Sequence, residues 1–129
     1  MDYEDSCGKL TNSRTAVAEV MKLKDSVSYQ TGAVVSKGLL DTAKGSVTAF
    51  AFDEGQGLSE HTAPYDALII VLEGQANVEI SGKGYHLNEG ELIIMPANQP
   101  HAVKAVTKFK MILIMIRASE ANSNRHSSA

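Results

Sequence analysis

Hydrophobic and polar positions alternate along this chain in short stretches, and glycines or polar turns cut the stretches apart. In residues 47–52, Thr48, Phe50 and Phe52 fall on one face and Val47, Ala49 and Ala51 on the other. In residues 109–117 (FKMILIMIR), Phe109, Met111, Leu113 and Met115 oppose Lys110, Ile112, Ile114 and Ile116. Successive side chains of a strand point to opposite faces, so both stretches read as β-strands. The second is apolar on both faces, which predicts a strand packed against a core and covered on its outer side as well. The cover is expected from the N-terminal segment or from a second subunit, and a homodimer follows as the expected assembly.

Glycines mark the turns. Gly32 and Gly38 flank AVVSK, and Gly45 precedes SVTAFAF. Gly55 and Gly57 stand before His61. Gly74, Gly82 and Gly84 punctuate QANVEIS and YHL, and Gly90 precedes ELIIM. Only AVAEVMKL, residues 16–23, is ambiguous, reading equally as a helical turn or a lead-in strand. Eight or more short strands at this spacing predict an all-β fold, an antiparallel barrel or jelly roll, whose closure hides the strand edges. An immunoglobulin sandwich is disfavoured, because there is no tryptophan and one cysteine where that fold has a Cys…Trp…Cys pattern. The expected organisation is a flexible arm over residues 1–14, a barrel over 15–117 and a small, polar, disordered tail over 118–129.

Composition narrows the function classes. The chain has 129 residues, enough for one core. A net charge of −3 gives no electrostatic reason to expect nucleic acid or an anionic membrane as partner. The single cysteine, Cys7, allows neither an internal disulfide nor a cysteine-rich zinc site. The first ten residues carry Asp2, Glu4 and Asp5 and no apolar run, unlike a secretory signal, and residues 67–72 and 111–116 are far shorter than the roughly 20 residues a membrane helix needs. A cytoplasmic protein is the default expectation.

Two spaced motifs carry the candidate chemistry. Gly55 is followed six positions on by His61, and Gly74 closes that stretch. In GELIIMPANQPH, Gly90, Pro96 and His101 recur at fixed intervals. Together they resemble the two signature motifs of the cupin superfamily, over about residues 26–117, with closest similarity to small single-domain bacterial cupins. The resemblance implies a cupin-type jelly-roll β-barrel, a double-stranded β-helix, with His61 and His101 approaching each other across its lumen. It also implies a metal site in which those two histidines keep the family's ligand identities. Four positions depart from the pattern: Ala63 replaces the second histidine, Ala67 the glutamate or glutamine, Asn98 a glycine and Ala105 an asparagine.

Imidazole suits zinc, nickel, copper or iron(II), and manganese belongs to the same set of divalent candidates. A catalytic zinc site ordinarily has three protein ligands and an open water position, so a third ligand would have to come from Asp66, Gln56, Gln99 or Tyr65. No cofactor is fixed by the residues themselves. The plain alternative is two hydrogen-bonded lumen histidines. The plain readings elsewhere are a solvated turn carboxylate at Glu73, a surface His86, and core packing for Met95, Met111 and Met115. Cys7 and His126 are expected to do nothing special.

Three functions compete. The first is a barrel binding a small apolar or aromatic molecule, since two alanines in place of polar ligands make the lumen more apolar. The second is a metal-dependent enzyme of oxygenase or isomerase type using His61 and His101. The third is a dimeric structural or sensory module.

Overall fold

The computed structural model describes residues 17–118. The arm over residues 1–14, Cys7, His126 and all but the first residue of the tail therefore lie outside the described residues. Of the stretch 16–23, residues 17–22 form neither a strand nor a helical turn. Its described residues lead into a single 3-10 turn at Leu23–Asp25, closed by the Ser26 hydroxyl donating to the Leu23 carbonyl at 2.7 Å.

Nine strands follow among the described residues: β1 (Val34–Thr42), β2 (Gly45–Phe52), β3 (Gly57–His61), β4 (Tyr65–Glu73), β5 (Ala76–Ile80), β6 (Lys83–Leu87), β7 (Leu92–Met95), β8 (His101–Ala105) and β9 (Phe109–Arg117). They form a five-stranded sheet in the order β1-β2-β9-β4-β7 and a four-stranded sheet in the order β3-β8-β5-β6. Every pairing is antiparallel. The all-β expectation holds, and the two sheets face each other as in a double-stranded β-helix. No helix among the described residues is long and apolar enough to cross a membrane.

The main core lies between the sheets. Phe52, Ile69, Val71, Val78, Met95, Phe109 and Met111 are all but inaccessible to water. The alternation read from residues 47–52 is realised here, with Phe50 and Phe52 inside and Val47, Ala49 and Ala51 outside. Phe52 stands opposite Phe109 across β2 and β9, and their rings stack at 4.4 Å with 14° between planes. β8 begins at His101 and ends at Ala105, and β9 starts at Phe109 after a short turn. The aromatic stack therefore fills the end of the barrel away from His101.

A second cluster lies outside the five-stranded sheet, where Val27 and Tyr29 pack on Ala49, Ala51 and Ile112. The N-terminal segment thus supplies part of the cover that the doubly apolar β9 requires. It is pinned by polar contacts as well. The Tyr29 hydroxyl donates to Glu73 Oε2 at 2.5 Å, and Lys110 Nζ donates to the Lys24 carbonyl while lying 5.1 Å from the centre of the Tyr29 ring. Glu73 is therefore more than a solvated turn carboxylate.

Burial first, and the Glu73 carboxylate second, hold the Tyr29 phenol well above its ordinary value of 10. A phenol kept protonated in the folded state stabilises fully below pH 10, and that stabilisation fades as the pH rises past it, because only the unfolded chain ionises. Tyr29→Phe is expected to cost about 1 kcal/mol at neutral pH, the worth of a hydrogen bond to a charged acceptor in a half-exposed setting. The alkaline decline in stability above pH 10 is expected to be shallower in Tyr29→Phe than in the wild type, as read by urea unfolding at stepped pH. An unchanged slope would place Tyr29 outside that linkage.

Candidate functional site

His61 and His101 meet at the open end of the barrel. They are direct partners across β3 and β8, with ring centres 4.5 Å apart and planes at 66°. A β-bulge makes this possible. Between the pairs Leu58–Val103 and His61–His101, β3 uses three steps where β8 uses two. An extra residue reverses the side-chain parity of a strand, so Leu58 and His61 both face inward despite their odd spacing. His101 is 9% exposed and shares its face with the buried Val103 and Ala105, whereas His61 is exposed at the rim.

The turn preceding β8 locks this arrangement. The Asn98 amide donates to the Ala63 carbonyl at 2.9 Å, joining the ends of the two motifs beside the histidines. Asn98 takes a φ of +65°. Asparagine is one of the few side-chain-bearing residues that adopt this left-handed conformation readily, so the replacement of the family's glycine there preserves the turn. At the β5–β6 hairpin, Ser81 and Gly82 both have positive φ, as a tight two-residue turn demands. The Ser81 amide donates to the Pro100 carbonyl at 2.8 Å and its hydroxyl to Gln99 Oε1 at 3.0 Å. The segment before His101 is thus held from both sides.

Each imidazole is oriented through its Nδ1. That atom lies 2.9 Å from the Ser59 carbonyl in His61 and 3.2 Å from the Gln99 carbonyl in His101. A carbonyl only accepts, so Nδ1 carries the proton and, in the neutral ring, Nε2 keeps a free lone pair. No partner for either Nε2 occurs among the described residues. Burial, and next the neighbouring His61, push His101 below its ordinary value of 6.5, partly offset by the Gln99 carbonyl. Near neutral pH His101 is therefore an uncharged acceptor.

The candidates for a third metal ligand are placed elsewhere. Asp66 shares the parity of the outward Leu68 and Ile70, and its Oδ1 accepts from the Ala97 amide at 3.1 Å. Gln99 Oε1 is engaged by Ser81, and the Tyr65 hydroxyl accepts from Arg117 at 3.3 Å. Gln56 pairs through its backbone with Ala105, four residues along β8 from His101 and so roughly 13 Å away. On the facing sheet Ala67 lies between Met95 and Met115, and with Met111 these form part of the core. No group of three or more His, Cys, Asp or Glu able to hold a metal occurs among the described residues. Two imidazoles fall short of the three-ligand set that a resident catalytic metal needs, so the donors present do not fit the family's usual ion.

His86 is at the surface, as expected, with Nδ1 2.8 Å from Asn77 Oδ1. It borders an open groove of about 810 Å³ that also includes Glu79 and Lys104. These side chains stand on the exposed face of the four-stranded sheet, opposite in parity to His101, so groove and histidine pair are separate features. Sequence reasoning missed the bulge and the Tyr29–Glu73 contact. A faint signal for the bulge existed in the odd spacing between the apolar Leu58 and His61.

Comparison with known proteins agrees with this architecture. The cupin domain family matches residues 49–117. A conserved protein of unknown function from Streptococcus pyogenes is similar at 30% identity, covering 88% of this chain and 99% of that one, with a TM-score of 0.78. A cupin 2 conserved barrel domain protein from Leptotrichia buccalis is 40% identical over 70% of this chain, which corresponds to 44% of that longer chain, with a TM-score of 0.69. A cupin superfamily protein from Desulfitobacterium hafniense shares the fold at 24% identity, covering 70% of this chain and 84% of that one, with a TM-score of 0.69. No curated protein matches the sequence. With the motif histidines paired at the mouth of two facing antiparallel sheets and the family match spanning more than half of its length, this chain belongs to the cupin family.

Proposed function

We propose that this cupin binds a small molecule with an apolar, preferably aromatic, body and a hydrogen-bond-donating head, such as a phenol, at the mouth of its barrel. The observation that carries this reading is the pair of imidazoles with ring centres 4.5 Å apart, each turned by a backbone carbonyl on Nδ1 so that Nε2 faces away from it. Two adjacent acceptors favour a donor head over a carboxylate. The surroundings favour an apolar body, since Ile80 stands beside His101 on β5 and Ala67 replaces a polar ligand on the facing sheet. Met95, level with Ala67, and Val78 and Met111 in the core are packed to at most 1% exposure, so the ligand sits at the rim.

A thermal-shift series tests this with phenols and catechols set against the same rings lacking the hydroxyl. The donor-bearing members are expected to raise the melting temperature, as any ligand of the native state does. His61→Ala is expected to weaken them about tenfold, one hydrogen bond's worth, while the exposed position leaves folding intact. Binding indifferent to the hydroxyl, or undiminished in His61→Ala, would overturn the reading. So would tight stoichiometric uptake of zinc, nickel, copper, iron or manganese that depends on both histidines.

A further inference from the structure

The open groove of about 810 Å³ on the exposed face of the four-stranded sheet is crossed by two rows of residues. Lys104, Asn77 and His86 stand side by side on β8, β5 and β6, and Ala102, Glu79 and Gly84 form the next row. The Glu79 and Lys104 side chains are exposed and have no ion-pair or hydrogen-bond partner among the described residues. Between them, Asn77 Oδ1 accepts from His86 Nδ1 at 2.8 Å, which leaves the Asn77 amide nitrogen and His86 Nε2 without a partner among those residues.

Gly84 is an independent sign of a ligand. A glycine inside a strand weakens it, and ordinarily marks a bulge, a special backbone angle or a place where other atoms come close. β5 and β6 pair in unbroken register through Gly84, so there is no bulge. Its φ is not positive, and a Cβ there would meet nothing within 4 Å. Gly57, across the groove, differs: a Cβ there would fall 2.3 Å from the Val103 carbonyl oxygen, so the close approach of β8 accounts for it. Nothing within the described chain accounts for Gly84. What the missing side chain does is keep the groove clear beside Glu79.

We propose that this groove is a second binding site, separate from the histidine mouth, for a dipeptide with free ends. Glu79 takes the ammonium group and Lys104 the carboxylate. Lys104 lies opposite Asn77, two residues from Glu79 on β5, so the two charged residues are diagonal neighbours ~7–8 Å apart at the backbone. An extended dipeptide spans roughly 7 Å, at ~3.5 Å per residue, whereas a single amino acid covers half of that and a tripeptide overshoots. The central amide of the ligand meets complementary groups between the charges. The Asn77 amide nitrogen donates to its carbonyl, and in the neutral ring His86 Nε2 accepts from its N–H. One ligand side chain lies over Gly84 and the other over Ala102, the two small positions of the second row.

The test is titration of the full chain with dialanine, followed through backbone amide chemical shifts. A dissociation constant on the order of 1 mM is expected for a ligand of this size on an open surface, with the shifts centred on Asn77, Gly84 and Ala102. Acetylating the amino end of the peptide, or amidating its carboxyl end, is expected to weaken binding about tenfold, one charge-assisted contact each. Glu79→Gln should weaken dialanine by the same factor and leave the acetylated form unaffected, and Lys104→Met should do likewise for the amidated form. Both side chains are exposed, so these variants fold. Gly84→Val fills the groove and is expected to abolish binding while the melting temperature holds or rises, since a β-branched side chain suits a strand. Equal affinity for dialanine, its capped forms and free alanine overturns the proposal. So do an absence of shifts at ~20 mM dialanine and undiminished binding in Gly84→Val. His61→Ala removes the response to phenols and leaves that to dialanine, so this reading and that of the mouth fail separately.

Discussion

Gly74→Ala is expected to destabilise the barrel by about 3–5 kcal/mol, enough to remove much of the stability of a domain of this size. Two costs coincide at this position. The backbone has a φ of +82°, where a Cβ costs roughly 1–2 kcal/mol. That Cβ would also fall 2.1 Å from the Lys108 carbonyl oxygen and 2.7 Å from Phe109 Cβ, contacts that force the β4–β5 turn away from the start of β9. Overpacking of this kind adds roughly 1–3 kcal/mol. Gly82→Ala separates the two terms, because its φ is +85° but nothing lies within 4 Å of the new methyl. It should lose only about 1 kcal/mol, the conformational part. Urea unfolding of both variants decides the matter, and equal losses would show that the contact with β9 carries no weight. The closing glycine of the first motif is thus a packing requirement that acts far from the histidines.

Phe109→Ala is expected to be nearly as damaging, at about 3–5 kcal/mol. Phe109 is fully buried and stacked on Phe52, and deleting the ring opens a cavity at the floor of the barrel that β9, paired on both sides by β2 and β4, cannot relax to fill. Phe50→Ala should cost less, since Phe50 is only half-buried and lies 5.8 Å from Phe52. Chemical denaturation of the two variants side by side checks the ranking, and a smaller loss in Phe109→Ala would mean that the floor is supported elsewhere. Because the stack sits at the closed end, the hydroxyl preference of ligand binding should survive in whatever fraction stays folded.

The strands were legible because their alternation is local. Thr48, Phe50 and Phe52 share a face by parity alone, and the two apolar faces of β9 announced a cover before its source was known. The pairing of His61 with His101 came from the spacing of two motifs and the family they resemble. What escaped was non-local or broke parity. The bulge in β3 depends on which β8 residues it meets, so no single-strand pattern contains it. Tyr29 reaches Glu73 across 44 residues, and nothing near either one announces the other. Asn98 was visible as a departure, but its left-handed backbone, and hence its equivalence to glycine, appears only in three dimensions.

The histidine pair rests on an edge strand. β3 contacts a single neighbour, β8, in three registered pairs, and peripheral strands with few pairings open at a fraction of the global unfolding free energy. The amides of β3 should accordingly exchange with deuterium well ahead of those in β4 and β9, and each such opening parts the two imidazoles. A molecule held between them must slow that exchange, so occupancy of the rim reports itself as protection along β3 while the central strands stay unchanged.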